Sequence, residues 1–265
     1  MSKQIGAVNL DGRVGQISFH YRKGVASARL KSRGPSRDHI FNDPSMERVR
    51  ENISEFAGLI LMANAFSAAL EGVKGMTDGT VRSRIMRLFA AVKKRSEGIR
   101  GKRPFNLSLF KSVLKNFELN AGNHLGSVLA ISSGITSTPS AARNSAALQL
   151  TIDNPQRRIA VPSEATHYQL AHLLAVIPDG VFDPEAKAYT LTAPELNGVS
   201  VVSTSDLLPI DGTPVTVSLE TTLPLETVPE QATVIEAVGI ECFQEIAGVP
   251  YFLKEGRGMK IINAF

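Results

Sequence analysis

Apolar residues between positions 49 and 70 recur at steps of three and four, which is the spacing of one face of an α-helix. Asp43 and Pro44 precede the pattern, and this pair is typical of a helix start. Gly72 and Gly75 follow the pattern and mark its end. A helix of this kind must bury its apolar face within a folded protein. The predicted face is Val49, Ile53, Phe56, Ile60, Ala63, Phe66 and Leu70.

Two shorter helical patterns follow. The second can be capped by Thr77 or Asp78, and the third lies close to residues 110–117. Three amphipathic helices carry too much apolar surface to stay apart, so we expect them to pack on one another or on a partner. Their predicted apolar faces are Val81, Ile85, Leu88, Phe89 and Val92 for the second, and Phe110, Val113, Leu114 and Phe117 for the third.

The second helix and the loop after it are strongly basic. A row of cations suits a polyanion or an acidic protein surface, although basic helices often have faces that contact only solvent. Phe89 belongs to the apolar face, so no aromatic residue supports base stacking on the basic one. This candidate assembly or polyanion face consists of Arg82, Arg84, Arg87, Lys93, Lys94, Arg95, Arg100, Lys102 and Arg103.

Charge divides the chain into two halves of opposite sign. Residues 1–123 contain 22 Lys+Arg and 10 Asp+Glu, a net charge of +12, and residues 124–265 contain 7 and 15, a net charge of −8. The two values give the +4 of the whole chain. This asymmetry favours either a polyanionic partner for the first half or head-to-tail attraction between copies.

Both ends of the chain have the pattern of β-structure. At the N-terminus, Asp11-Gly12 predicts a hairpin turn between Val8–Leu10 and Val14–Phe19, and Arg22-Lys23-Gly24 predicts a second turn. Such a short hairpin has little core of its own, so it must lean on the helices or add to another sheet. Residues 31–43 read as a basic, turn-rich linker.

From Leu148 onward the apolar period changes to two. Seven or eight short strands separated by turn residues predict an antiparallel, immunoglobulin-like β-sandwich, which makes the fold class α+β. The predicted domains are a basic hairpin-plus-helices domain at 1–123, a connector with weak local structure at 124–147 and an acidic sandwich at 148–265. In the late strand, the alternation aligns Val238, Ile240, Cys242 and Ile246 on one face, which places Cys242 in the sandwich core as a small apolar residue.

No motif in the sequence announces a reaction. There is no Gly-x-Ser-x-Gly sequence, and Gly98-x-x-Gly101-Lys102 lacks the spacing of a phosphate-binding loop. His167 and His172 are an odd number of positions apart on a predicted strand, so they point to opposite faces and do not share a metal. The sequence therefore predicts no catalytic residue, no cofactor and no metal.

Three segments together resemble a family of uncharacterised bacterial proteins. They are Gly12-Arg-Val-Gly15 followed by Phe19, Arg48-x-Arg-Glu-Asn52-x-x-Glu-Phe56, and Val238-Gly-Ile-Glu-x-Phe243-Gln-Glu-x-x-Gly248-x-x-Tyr251-x-Leu253. In that family a glycine-rich hairpin and helices precede an immunoglobulin-like sandwich, and its members look phage-like or structural. The resemblance implies architecture and transfers no site residues.

These observations favour a non-enzymatic structural protein that self-associates into a filament, tube or shell through heterologous contacts. The alternative is a nucleic-acid-binding protein that uses residues 81–103, and a third possibility is a sandwich that binds a carbohydrate. The chain has neither a signal-peptide pattern nor an apolar run long enough for a membrane, and it has a single cysteine. We therefore expect a cytoplasmic location, or export without a Sec signal.

Overall fold

The computed structural model describes residues 2–4, 10–22, 24–30, 34–130, 135–160 and 162–265. It confirms the α+β class, with an N-terminal hairpin, helices and then a multi-stranded antiparallel sheet. Its contacts group residues 1–50 into one compact unit and residues 51–265 into a second. The division at 123 and 148, which was based on charge and periodicity, stays a prediction.

The first unit contains a small antiparallel sheet. Its strands are β1 (Ser2–Lys3), β2 (Gly12–Val14), β3 (Ile17–Arg22) and β4 (Val25–Leu30), in the order β1-β4-β3-β2, and helix α1 (Arg37–Asn42) follows them. The second turn is confirmed by the pairing of Arg22 with Val25 and by the positive φ of 77° at Gly24, while Lys23 lies outside the described residues. The turn predicted at Asp11-Gly12 is wrong. The first hairpin turns at Gly15-Gln16 instead, since Gly15 adopts a positive φ of 56° and Val14 pairs with Ile17. Val8 lies outside the described residues.

Helix α2 (Glu47–Ala69) and helix α3 (Val81–Arg95) match the first two helical predictions. The third predicted helix is wrong. Two 3₁₀ turns, Leu107–Leu109 and Lys111–Leu114, replace it, because Phe110 between them has a non-helical backbone. A single helix of about eight residues would be marginal, and the two turns bury Leu107 and Leu114 completely.

The buried face of α2 differs from the predicted one in its first half. Ile53 and Phe56 are exposed, whereas Glu55, Gly58 and Leu59 are buried. The reason is a close approach: a Cβ atom at position 58 would lie 2.5 Å from the ring of Phe105. Phe105 therefore packs on the side of α2 that carries Gly58. The apolar stripe on the other side of the helix remains exposed to solvent. The exposed stripe is Val49, Ile53, Phe56 and Ile60.

Two sheets and one hairpin form the rest of the second unit. The strands of the central sheet are β7 (His167–Pro178), β10 (Ser200–Thr204), β11 (Leu208–Pro209), β13 (Ala232–Ile246) and β14 (Val249–Ala264). Their order is β10-β7-β13-β14, and β11 also pairs with β7. The smaller sheet comprises β5 (Ile135–Pro139), β6 (Ser145–Ile152) and β12 (Val215–Thr222), in the order β12-β6-β5. The hairpin is formed by β8 (Gly180–Asp183) and β9 (Ala188–Leu191), and two short helices are α4 (Leu125–Val128) and α5 (Pro155–Arg158).

The central sheet is a middle layer. Alternate residues of β7, such as Leu173 and Ile177, share one core with Phe66 of α2 and Phe89 of α3. On its other face, Ile240 packs in a second core with residues of β6 and β12. The sandwich-like arrangement is therefore completed on one side by helices. Val238, Ile240 and Cys242 are fully buried, as predicted. The prediction for Ile246 on the same face is wrong, because this residue lies beyond the part of β13 that pairs with β7 and is exposed by 52%.

Two parts of the strand prediction differ from the structure. Residues 135–139 are paired with β6, so this part of the predicted connector has regular structure. Residues 251–253 and 259–265 were predicted as separate strands, but residues 251–253 and 259–264 belong to one strand, β14, because it continues through Gly256 and Gly258 with a register shift near Ile240. Across the described ranges, no helix combines the length and apolar content that a membrane crossing requires.

Candidate functional site

Three of the nine basic residues predicted to form one face are structural. Arg84 donates to the carbonyls of Glu118 and Leu119 and pairs with Asp78 at 3.1 Å. Its guanidinium also lies 4.9 Å from the ring centroid of Phe117. Arg84 therefore joins α3 to the segment that follows the 3₁₀ turns.

Glu55 holds two more of these cations. Lys93 Nζ lies 2.6 Å from Glu55 Oε2, Arg103 Nε donates to Oε1 at 2.8 Å, and the backbone N–H of Gly101 donates to the same oxygen. Burial acts to raise the pKa of Glu55, but the hydrogen bonds from Arg103, Lys93 and Gly101 outweigh it and lower the pKa to about 2. This buried carboxylate joins α2, α3 and the basic loop.

The other six basic residues lie nearer the surface. Arg82 bonds to Asn64, Arg100 pairs with Glu51, and Lys102 lies over the ring of Phe182. The remaining three are exposed and make no side-chain hydrogen bond, ion pair or ring contact within the part of the chain that the structure describes: Arg87, Lys94 and Arg95. The structure thus reduces the free part of the predicted basic face to these three cations on α3.

A chain of polar side chains crosses the space between the two sheets. Thr221 Oγ1 lies 2.8 Å from His172 Nδ1, His172 Nε2 lies 2.9 Å from Glu236 Oε1, and Ser137 donates to Glu236 Oε2 at 2.6 Å. Each of the four residues comes from a different strand. Thr221, His172 and Glu236 are completely buried.

This hydroxyl–imidazole–carboxylate sequence resembles a nucleophile, base and orienting acid in its order of contacts. Its geometry serves a structural purpose, because a substrate has no access to a hydroxyl with zero exposed surface. The four residues satisfy one another's hydrogen bonds and so fix the register between β12, β7, β13 and β5. His167 lies away from this chain, partly exposed beside Glu245.

The sheet of the first unit has one apolar face. Residues directly opposite each other in an antiparallel pair share a face, and Ile17 lies opposite Val14 on one side and Leu30 on the other. The next rows place Phe19 opposite Ala28, and Tyr21 opposite Ala26. The opposite face is polar and basic, with Arg13, Ser18 and Arg29 in one row.

This apolar face is largely open. The exposed fractions are 68% for Val14, 72% for Leu30 and 57% for Tyr21. Among the described residues up to position 50, Ala26 is the only apolar side chain that is buried. A small sheet gains little stability unless an apolar face is covered, so this surface is the strongest candidate for an interaction site.

No group of three or more His, Cys, Asp and Glu side chains that could hold a metal ion occurs within the described ranges. No family model, curated protein or solved structure matches the chain.

Proposed function

We propose that this protein is a non-enzymatic structural protein whose copies associate through heterologous contacts into a filament, tube or shell. The observation that carries the proposal is the open apolar face of the N-terminal sheet, with Val14, Ile17, Tyr21 and Leu30 all more than two-fifths exposed. Burial of apolar area contributes about 25 cal/mol per Å², so a face of this kind favours association. The resemblance to phage-like structural proteins agrees with this proposal and stays a prediction.

The charge distribution supports contacts between unlike surfaces. Residues 1–50 contain 10 Lys+Arg and 4 Asp+Glu, a net charge of +6, while residues 51–265 contain 19 and 21, a net charge of −2. Two copies that meet through the same basic surface would repel each other, whereas the basic unit of one copy attracts the acidic unit of another. Contacts between unlike surfaces propagate unless the rotation between copies closes a ring.

The test compares two double variants of the N-terminal sheet. Val14→Asp with Leu30→Asp places two charges on the apolar face, and Arg13→Gln with Arg29→Gln changes the net charge by the same amount on the polar face. Sedimentation velocity and negative-stain microscopy of the parent at micromolar concentration are expected to show oligomers. The first variant is expected to be monomeric, and the second is expected to assemble. A parent that is monomeric at every concentration and salt would contradict the proposal.

A second candidate function is polyanion binding, and the exposure of Arg87, Lys94 and Arg95 favours it. The test is Arg87→Glu with Lys94→Glu and Arg95→Glu, which leaves the structural Arg84 in place. If this surface binds phosphates, the parent binds DNA or RNA with an affinity that falls steeply as salt rises, and the variant loses this binding while keeping its oligomeric state. A parent that shifts neither duplex nor single strands in a gel would exclude this function.

A further inference from the structure

The end of the β13–β14 hairpin extends past the strands beside it. The last residue of β13 that pairs with β7 is Phe243, opposite His167. Beyond it, Gln244 pairs with Tyr251 and Ile246 with Val249, and the turn residues Ala247 and Gly248 have φ values of 52° and 80°. Residues 244–251 therefore form a two-stranded arm that ends in a tight turn.

One face of this arm is apolar and exposed. Ile246, Val249 and Tyr251 share one face and are exposed by 52%, 50% and 52%. At the base of the other face, the rings of Phe243 and Phe252 pack edge to face with centroids 5.9 Å apart. A two-stranded ribbon is marginal by itself, and exposed apolar strands associate readily, so an arm of this composition is suited to bind another surface.

Carboxylates surround the arm. Glu245 lies on the arm, 3.5 Å from His167, and Glu255 lies further along β14; both carboxylates are exposed. Glu164 and Asp211 are also exposed, and they belong to segments joined at Thr166, which donates its N–H to Phe243 and accepts a hydrogen bond from Ile210. The cations on the same segments are Lys254 and Arg257 on β14, with Arg257 over the ring of Phe252, and Arg157 on α5, which is hydrogen-bonded to Asp211 through Gln156. Arg158 of the same helix is paired with Asp153. The end of the sandwich that carries the arm therefore has a small excess of carboxylates.

We propose that the arm of one copy binds the apolar face of the N-terminal sheet of another copy. The inference rests on the proposed function and names the two surfaces that meet. Each surface is an open apolar patch on β-strands, and their surroundings have opposite charge: carboxylates around the arm, and a net charge of +6 for residues 1–50. Because the surfaces differ, the contact is heterologous and repeats from copy to copy.

The exposed stripe on α2 is a less suitable partner for the same sheet. Arg48 and Arg50 lie on the same helix as Glu47, and Lys102 lies on the loop hydrogen-bonded to it, while Arg100 of that loop is paired with Glu51. Arg48, Arg50 and Lys102 outnumber Glu47, so the charge around the stripe has the same sign as the N-terminal unit and would repel it. Charge complementarity thus selects the arm over the stripe.

The experiment mixes two variants that are each blocked at one surface. Ile246→Asp with Tyr251→Asp blocks the arm, and Val14→Asp with Leu30→Asp blocks the sheet. Each variant by itself is expected to be monomeric, with its affinity for further copies lowered at least about a hundredfold. An equimolar mixture is expected to give one-to-one dimers and nothing larger, because one intact arm meets one intact sheet and the other two surfaces are blocked.

A matched control is Ile99→Asp with Leu109→Asp, which adds the same charges at two apolar side chains that are exposed by 75% and 73% and lie outside both surfaces. This variant is expected to assemble as the parent does, and thermal melts of all variants should coincide with the parent's.

If the parent is monomeric, the proposed function itself fails. If the parent assembles but the arm variant also assembles, or if the mixture stays monomeric, only the pairing of arm and sheet is overturned. If Phe56→Asp abolishes assembly while the arm variant still assembles, the contact belongs to the exposed stripe on α2 instead.

Discussion

The central sheet and the N-terminal sheet are both antiparallel and rich in apolar side chains, yet they differ in what covers them. In the central sheet, β7 and β13 are buried on both faces, by helices on one side and by the smaller sheet on the other. In the N-terminal sheet one face is polar, and the other exposes Val14, Ile17, Tyr21 and Leu30. An apolar strand pattern therefore specifies a face that must be buried, but it does not determine whether the same chain or another one buries it.

The largest expected difference comes from the same substitution in the two sheets. Ile240→Asp places an unpaired carboxylate in the core between the sheets, at a cost of about 5 kcal/mol, comparable to the whole stability of many domains. Ile17→Asp places it on a half-open face and should change the free energy of unfolding of the second unit by less than about 0.5 kcal/mol. Urea unfolding followed by circular dichroism measures both.

Ile240→Val is the control for the first variant, because it removes one methyl group without adding charge and should cost about 1 kcal/mol. If Ile17→Asp unfolds the protein as Ile240→Asp does, the N-terminal sheet is part of the stable core and the comparison drawn above is wrong.

A change of pH is expected to have a smaller effect on the free energy of unfolding. The group responsible is the carboxylate of Glu55, which joins α2 and α3 to the basic loop. The pKa of Glu55 is lowered in the folded protein, from an ordinary value of 4.5 to about 2. The stabilisation is therefore present above pH 4.5 and is lost as the pH falls from about 4.5 to about 2. The side chain is 3% exposed, so the loss is about 3 kcal/mol.

The measurement is the free energy of unfolding of the parent and of Glu55→Gln across this pH range. The parent is expected to lose about 3 kcal/mol more than the variant. Other carboxylates, such as Asp78, also have a lowered pKa and contribute equally to both proteins, so the difference isolates Glu55. Parallel pH profiles would show that Glu55 is not held as an ion in the folded state.

The smallest effect separates two arginines that the sequence places on one basic face. Arg84→Ala removes hydrogen bonds to Glu118 and Leu119 and a contact with Phe117, and should cost about 1–3 kcal/mol. Arg87→Ala removes an exposed side chain and should stay within about 0.5 kcal/mol of the parent. Equal thermal shifts for both variants would contradict the distinction between structural and free cations.

Much of the fold could be predicted from the sequence, because local patterns report local structure. The periodicity of three and four predicted α2 and α3, and the change to a period of two predicted most strands of the second unit. Features that depend on contacts between residues far apart in the chain could not be predicted from these patterns. The choice of buried face on α2 depends on how Phe105 approaches Gly58, and the hydrogen-bond chain from Thr221 through His172 and Glu236 to Ser137 joins residues up to 99 positions apart.

The candidate sites show the same division. Nine basic residues were grouped by their positions on α3 and the following loop, and composition alone could not show that Arg84, Lys93 and Arg103 have internal partners. The sequence did indicate that the N-terminal hairpin lacks a core of its own, because its strands are too short to bury one. The arm of β13 and β14 could not be predicted, because it is defined by how far these strands extend past the neighbouring strands. The pattern of a single strand carries no information about the length of its neighbours.

What the sequence by itself determined is the set of elements and the sign of the charge on each half, because helix and strand periods and ionisable groups are local properties. The tertiary structure alone decided which apolar faces are covered, which cations are neutralised by buried carboxylates such as Glu55, and which strands project beyond the sheet. These outcomes depend on contacts between residues far apart in the chain, and their energies are set by burial and distance rather than by sequence spacing.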